Sequence, residues 1–167
     1  MKIKLFLFAA ILAALCSCSK SGDIQYLPFQ SDEHSNWGLV STGGKVLFEN
    51  EFKNEPTVVM HDRFFVKNAD GKWELYAAQE KPEEIGKNVY DQAGAFIEDV
   101  APVVATGQPI QFINKDGEVK FSLGNVDGQQ ITECTNFSEG IAVFKAGKYY
   151  GCIDKDGNVI VKPEYIR

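Results

Sequence analysis

The sequence predicts an all-β fold of about four repeated antiparallel hairpin or meander units, solenoid-like or propeller-like in stacking, behind a helical signal peptide. Three observations carry this expectation. Short runs rich in Val, Ile, Phe and Tyr lie between Asp-Gly and Gly-Lys turns, the sequence form of antiparallel hairpins. One short pattern, an aromatic or apolar residue followed by a glycine-like position and alternating apolar residues, recurs with its second position at 38, 74, 111 and 151, giving spacings of 36, 37 and 40 residues. A period of that size marks a repeat array. No sustained helical period competes with it, and only Lys81 to Gln92 offers a short helix or an irregular insertion.

The first element is the leader. Residues 1–17 run from a basic start (MKIK) through an apolar core (LFLFAAILAAL) to a small-residue end. The apolar run is shorter than the roughly 20 residues a bilayer-crossing helix needs, and it sits at the extreme N-terminus behind Lys2 and Lys4, which reads as a signal peptide rather than a span. Residues 18–23 form a short polar tether, and residues 24–167 form the β-repeat domain.

Composition bounds what that domain does. The chain has 167 residues, 44% hydrophobic and 24% charged, ordinary for one soluble domain. Loss of Lys2 and Lys4 with the leader leaves 15 basic against 23 acidic side chains, a net charge of -8. That balance argues against nucleic acid and against an anionic lipid surface as partners of the folded part.

The repeat is clearest at its last copy. The run from Tyr150-Gly151-Cys152-Ile153-Asp154 through Gly157 to Val159 matches Ile110 to Val119 and Trp37-Gly38-Leu39-Val40 to Val46, with a fainter copy at Trp73-Glu74-Leu75-Tyr76. Upstream, Phe137-Ser138-Glu139-Gly140-Ile141-Ala142-Val143-Phe144 aligns with Phe96 to Val103, and Arg63-Phe64-Phe65-Val66 is a weak relative. Each unit is therefore strand, turn, strand, turn, strand. Gly151 in the second strand leaves room for a neighbouring ring or backbone to lie across it. Asp156-Gly157 and Asp116-Gly117 suit tight turns that need positive φ. One hairpin unit cannot bury its apolar face alone, so units must stack, with Trp37, Trp73, Phe112 and Tyr150 expected on the packed inner face.

Two resemblances follow from these residues. Leu15-Cys16-Ser17-Cys18 resembles the bacterial lipobox, which implies cleavage before Cys18, a lipid on that cysteine and anchoring to the cell envelope, with the outer membrane as the expected membrane and its periplasmic or surface face left open. Each buried methylene of such a lipid contributes about 0.8 kcal/mol, so two or three chains hold a protein at a membrane without a spanning helix. The repeat units resemble the WG repeat family. Phe137, Gly140, Ala142, Gly151, Ile153, Asp154, Gly157, Val159, Ile160, Pro163 and Tyr165 fall on its pattern, with Tyr150 in place of the signature Trp. The resemblance spans about Trp37 to Tyr165, and copy two keeps little beyond Trp73.

Chemistry-bearing candidates are few. Asp154-Lys155-Asp156-Gly157-Asn158 has the alternating oxygens of a calcium loop but runs at once into Val159-Ile160-Val161, so a hairpin turn explains it better; Asn68 to Gly71 and Asn125 to Gly128 read the same way. His34 and His61 show no ligand spacing, and no metal or cofactor is expected. Acid, base and nucleophile signals do not converge, so no catalytic residue is assigned and no enzyme activity is expected. Cys134 and Cys152 form a possible disulfide in an oxidising compartment, with two buried free thiols as the alternative. The expected function is a membrane-anchored, non-enzymatic binding or scaffold module, its partner an envelope protein or a glycan. The alternative is a structural self-assembling protein, or a truncated member of a longer array.

Overall fold

The structure is a computed structural model and describes residues 24–166. The expected leader (1–17), the expected lipidation site Cys18 and the expected tether (18–23) lie outside the described residues. Within them the secondary structure is strand and turn, in four antiparallel sheets that follow one another along the chain. The first sheet holds β1 (Tyr26–Gln30), β2 (Trp37–Ser41) and β3 (Val46–Phe52). The second holds β4 (Arg63–Lys67), β5 (Trp73–Ala78) and β6 (Pro82–Tyr90). The third holds β7 (Gln92–Ala93), β8 (Ala101–Val104), β9 (Ile110–Ile113) and β10 (Val119–Ser122). The fourth holds β11 (Asn125–Val126), β12 (Gln129–Cys134), β13 (Ala142–Ala146), β14 (Tyr149–Ile153) and β15 (Val159–Tyr165). Neighbours in every sheet are sequential strands, so each backbone ladder closes locally.

Packing follows from the two-residue period of a strand, which sends alternate side chains to opposite faces. Phe64 and Val66 of β4 join Leu39, Phe48 and Phe52 of the first sheet in one core, while Phe65 between them joins Leu75, Ala101, Val103 and Ile113 in the next. Phe112 and Ile110 of β9 face the fourth sheet with Ala142, Phe144 and Ile153, while Ile113 faces back to the second. The four sheets therefore stack face to face in chain order, with three apolar layers between them. The inner two are buried on both faces. Phe64, Phe65, Phe96, Phe112 and Phe144 are each almost wholly buried, and full burial of such a side chain is worth about 1.5–3 kcal/mol. Edge-to-face and stacked ring pairs add to this: Phe52 with Phe64 at 5.5 Å, Phe65 with Phe96 at 5.8 Å, Phe112 with Phe121 at 4.8 Å.

One sequence expectation is corrected. Lys81 to Gln92 supplies neither a helix nor an insertion; it is almost entirely β6, paired antiparallel with β5 from Ala78↔Pro82 to Trp73↔Tyr90. The register shifts between Glu74 and Tyr76, and Gly86 within β6 takes φ +72. The run is polar because most of it lies exposed at the sheet edge, where pairing rather than apolar burial holds it. An edge strand with one buried residue has too weak an alternation to announce itself.

Candidate functional site

Each of the last three units opens on a two-residue turn with both central residues at positive φ: His61-Asp62 (53° and 61°), Glu98-Asp99 (53° and 71°) and Glu139-Gly140 (53° and 81°). The flanking pairs Met60↔Arg63, Ile97↔Val100 and Ser138↔Ile141 exchange backbone hydrogen bonds, which defines hairpin turns whose twist matches the strands. The second strand of each unit ends at the same end of its sheet. There Asn114-Lys115-Asp116-Gly117 and Asp154-Lys155-Asp156-Gly157 fold back on their first side chain. Asp154 Oδ1 accepts from the Asp156 and Asn158 N–H groups at 3.0 and 2.8 Å, and Asn114 Oδ1 accepts from Asp116 and Glu118 at 3.0 and 2.9 Å. The Asn158 side-chain amide, 3.1 Å from Asp154 Oδ2, leads the groups that hold the Asp154 carboxyl below its usual range. The loop thus uses its oxygens on its own backbone, which is the turn expected from the sequence.

These turns converge on one charged rim that laces unit to unit. Arg63 Nε donates to the Lys115 carbonyl at 2.7 Å, and His61 Nδ1 lies 3.4 Å from Asp99, so the second unit reaches the third. Glu98 of the third unit takes the Gly140 N–H at 3.1–3.2 Å and pairs with Lys155 Nζ at 2.9 Å, so the third reaches the fourth. Lys115 Nζ also pairs with Asp99 at 3.1 Å. Lys155 holds the Glu98 carboxyl below its ordinary value, with help from the Gly140 N–H, and Lys115 does the same for Asp99. Both acids stay ionised at neutral pH. The arrangement alternates sign along the rim and leaves the turn tips Asp116 and Asp156 exposed.

The other residues singled out by sequence occupy several places. Trp37 packs on the core between sheets one and two, Trp73 on that between two and three, and Phe112 lies in that between three and four. Lys67 Nζ sits 4.9 Å over the Trp73 ring. Tyr150 departs from the expected inner face. It is opposite Lys145, beside Cys152 in the two-residue alternation, on the side of the last sheet turned away from the core, with Lys145 Nζ 5.9 Å from its ring. Pro163 and Tyr165 lie in β15, the edge strand, where a missing N–H is tolerated. A Cβ on Gly151 would meet Val161 O at 2.5 Å and the Phe144 ring at 2.6 Å, and one on Gly38 would meet Phe48 O at 2.3 Å and the Phe29 ring at 2.7 Å. Gly157, at φ +83, lies so close under Phe121 of the preceding sheet that a Cβ would come within 2.6 Å of it.

The possible disulfide is corrected. Cys134 and Cys152 are both free. Cys134 is the register partner of Phe144 and packs against the core, whereas Cys152 is opposite Val143 on the other face of the same sheet. Thiols on opposite faces cannot bond without turning a strand over. Burial pushes the Cys134 thiol up to about 12.

Sequence reasoning missed the rim residues His61, Arg63, Glu98, Asp99, Lys115 and Lys155. The signal was present in the alignment of Phe96–Val103 with Phe137–Phe144, which sets Glu98-Asp99 over Glu139-Gly140. Among the described residues no group of three or more His, Cys, Asp or Glu side chains is placed to hold a metal ion, and no helix is long and apolar enough to cross a membrane. Gln79 to Glu84 line a shallow surface depression made of consecutive residues at one strand end.

Comparison with known proteins agrees with this architecture. No curated protein matches the chain. Among solved structures, the crystal structure of the computationally designed Ika8 protein is similar in fold, with a TM-score of 0.52 and 15% identity over 83% of this chain; the chain spans 46% of that protein's length. The family model described as WG containing repeat matches residues 150–165, the stretch that makes β14, its Asp154 turn and β15, so the last unit of this all-β array is similar to a WG repeat.

Proposed function

We propose that this chain is a non-enzymatic binding or scaffold module, held at a membrane of the cell envelope by a lipid on Cys18 and recognising an envelope protein or a glycan. The observation that supports it most is the charged rim. Four stacked sheets hold the turns of successive units in fixed register, so polar tips such as Asp116 and Asp156 stand at repeat spacing on a rigid support, the kind of extended surface repeat arrays use for binding. The likeness of residues 150–165 to a WG repeat agrees with that role.

Two experiments separate anchor from binding. Cells making the full-length chain are fed an alkyne-tagged fatty acid. Label lost in Cys18→Ser and kept in Cys16→Ser supports the anchor, and label kept in Cys18→Ser overturns it. Intact cells carrying a tagged copy are then cross-linked and the adducts identified by mass spectrometry. A distinct envelope protein or glycan that disappears in the Asp116→Ala, Asp156→Ala double variant supports the binding reading, because both side chains are exposed while the turns are held by Asn114 and Asp154. An adduct indifferent to that change overturns the rim as the contact. A structural assembly role is the second reading, favoured by apolar outer faces on the two end sheets.

A further inference from the structure

The stack has a direction, and the same positions serve it in every unit. The first and third residues of the second strand face the following sheet: Trp37 and Leu39, Trp73 and Leu75, Ile110 and Phe112. The fourth residue, and the strand before it, face the preceding sheet: Tyr76 with Phe64 and Val66, Ile113 with Ala101 and Val103, Ile153 with Ala142 and Phe144. Both faces of the inner sheets are consumed this way. Among the described residues the end sheets each keep one.

On the last sheet the forward positions are Tyr150 and Cys152, with Val143 and Val161 beside Cys152 as its register partners and Tyr165 beside Tyr150. These are the places at which earlier units bury Trp, Leu and Phe. A charged pair there, Lys145 with Glu133 at 2.8 Å, is neutralised within the sheet. On the first sheet the backward positions are Leu27, Phe29, Val40 and Val46, linked in register as Leu27↔Val40, Phe29↔Gly38 and Val40↔Val46. Leu27 and Val46 are 39% and 47% exposed. An apolar forward face and an apolar backward face thus stand at opposite ends of one chain, and the three internal interfaces show what each accepts: the other kind.

We propose that two copies of this chain stack head to tail, the outer face of the last sheet (Val143, Tyr150, Cys152, Val161) seating against the outer face of the first sheet (Leu27, Phe29, Val40, Val46) of the second copy. This is a face-to-face contact between non-identical patches, distinct from pairing along the β15 edge; such a heterologous contact closes into a ring where the rotation between copies completes a turn and otherwise extends the stack. It needs neither the lipid nor the rim.

The test is photo-cross-linking of the full-length chain in its own membrane. A benzophenone amino acid replaces Val161, and two differently tagged copies are expressed together. An adduct carrying both tags, mapped by mass spectrometry to the segment from Leu27 to Val46, is the expected result, and it is lost in the Val46→Glu variant. Val46 is exposed in the single chain, so circular dichroism of that variant keeps the strand signal of the folded protein. Adducts to a different protein, adducts mapped to β15 of the second copy, or no two-tag adduct overturn the proposal. Since the rim variants Asp116→Ala and Asp156→Ala leave both end faces untouched, they retain the two-tag adduct even if they lose a rim partner, which distinguishes failure of one reading from failure of the other.

Discussion

Gly151 lies under the Phe144 ring and against the Val161 carbonyl, and neither gives way cheaply, because one is packed in the core and the other is backbone. Gly151→Ala is expected to destabilise by about 1–3 kcal/mol, the usual cost of overpacking, read as a lower urea midpoint with an unchanged slope. Glu98 carries a pH effect with a definite sign. Its folded pKa is depressed by Lys155, so the stabilisation is present above the ordinary carboxyl range and is lost as pH falls through the folded value. Glu98→Gln therefore costs about 1 kcal/mol at neutral pH and flattens the loss of stability between about pH 5 and pH 3; thermal melts across that interval give the answer, and a parallel offset at every pH would refute it. The cysteines test the face assignment: alkylation of the unfolded, unreduced chain should modify both Cys134 and Cys152, and in the folded chain Cys134 should react far more slowly, since burial disfavours its thiolate.

Elements are set by turns more than by strand propensity. The hairpin turns at 61–62, 98–99 and 139–140 place five non-glycine residues at positive φ, a conformation that costs an L-residue about 1–2 kcal/mol each. Glu139 is one of them, while its neighbour Gly140 is already free of that cost. Glu139→Asn creates the Asn-Gly pair such turns favour and is expected to raise stability by roughly 0.5–1 kcal/mol, measurable as a higher urea midpoint; no gain would mean that the strain is absorbed elsewhere. The charges explain why the strain persists at Glu98 and Asp99, where the side chains tie one unit to the next. Strand β6 shows the converse. Its sequence carries little periodicity, and its pairing with β5 holds it in place.

Across the whole molecule, stability is divided among three apolar layers joined in series. Each sheet touches only its neighbours in the core, so damage should stay local, as in other repeat arrays. Phe112→Ala removes a fully buried ring between sheets three and four, at a cost of about 3–5 kcal/mol. Hydrogen exchange should then show the amides of β12, β13 and β14 losing protection while those of β2 and β4 keep theirs; uniform loss would show a single cooperative unit instead.

The sequence by itself determined the all-β class, the number and order of units, the turn at Asp154-Gly157 and the glycines under rings, because these follow from local rules: a two-residue alternation, a turn that needs positive φ, and a motif repeated at fixed spacing. Tertiary structure decided which face each residue serves. Cys134 and Cys152 lie eighteen positions apart on strands of one sheet, and only register puts them on opposite faces. Tyr150 occupies the position of Trp37 and Trp73 yet faces outward, because among the described residues no fifth sheet follows it. The rim from His61 to Lys155 exists only once the sheets are stacked, since its partners lie up to 57 residues apart in the chain and meet through packing that no local pattern records.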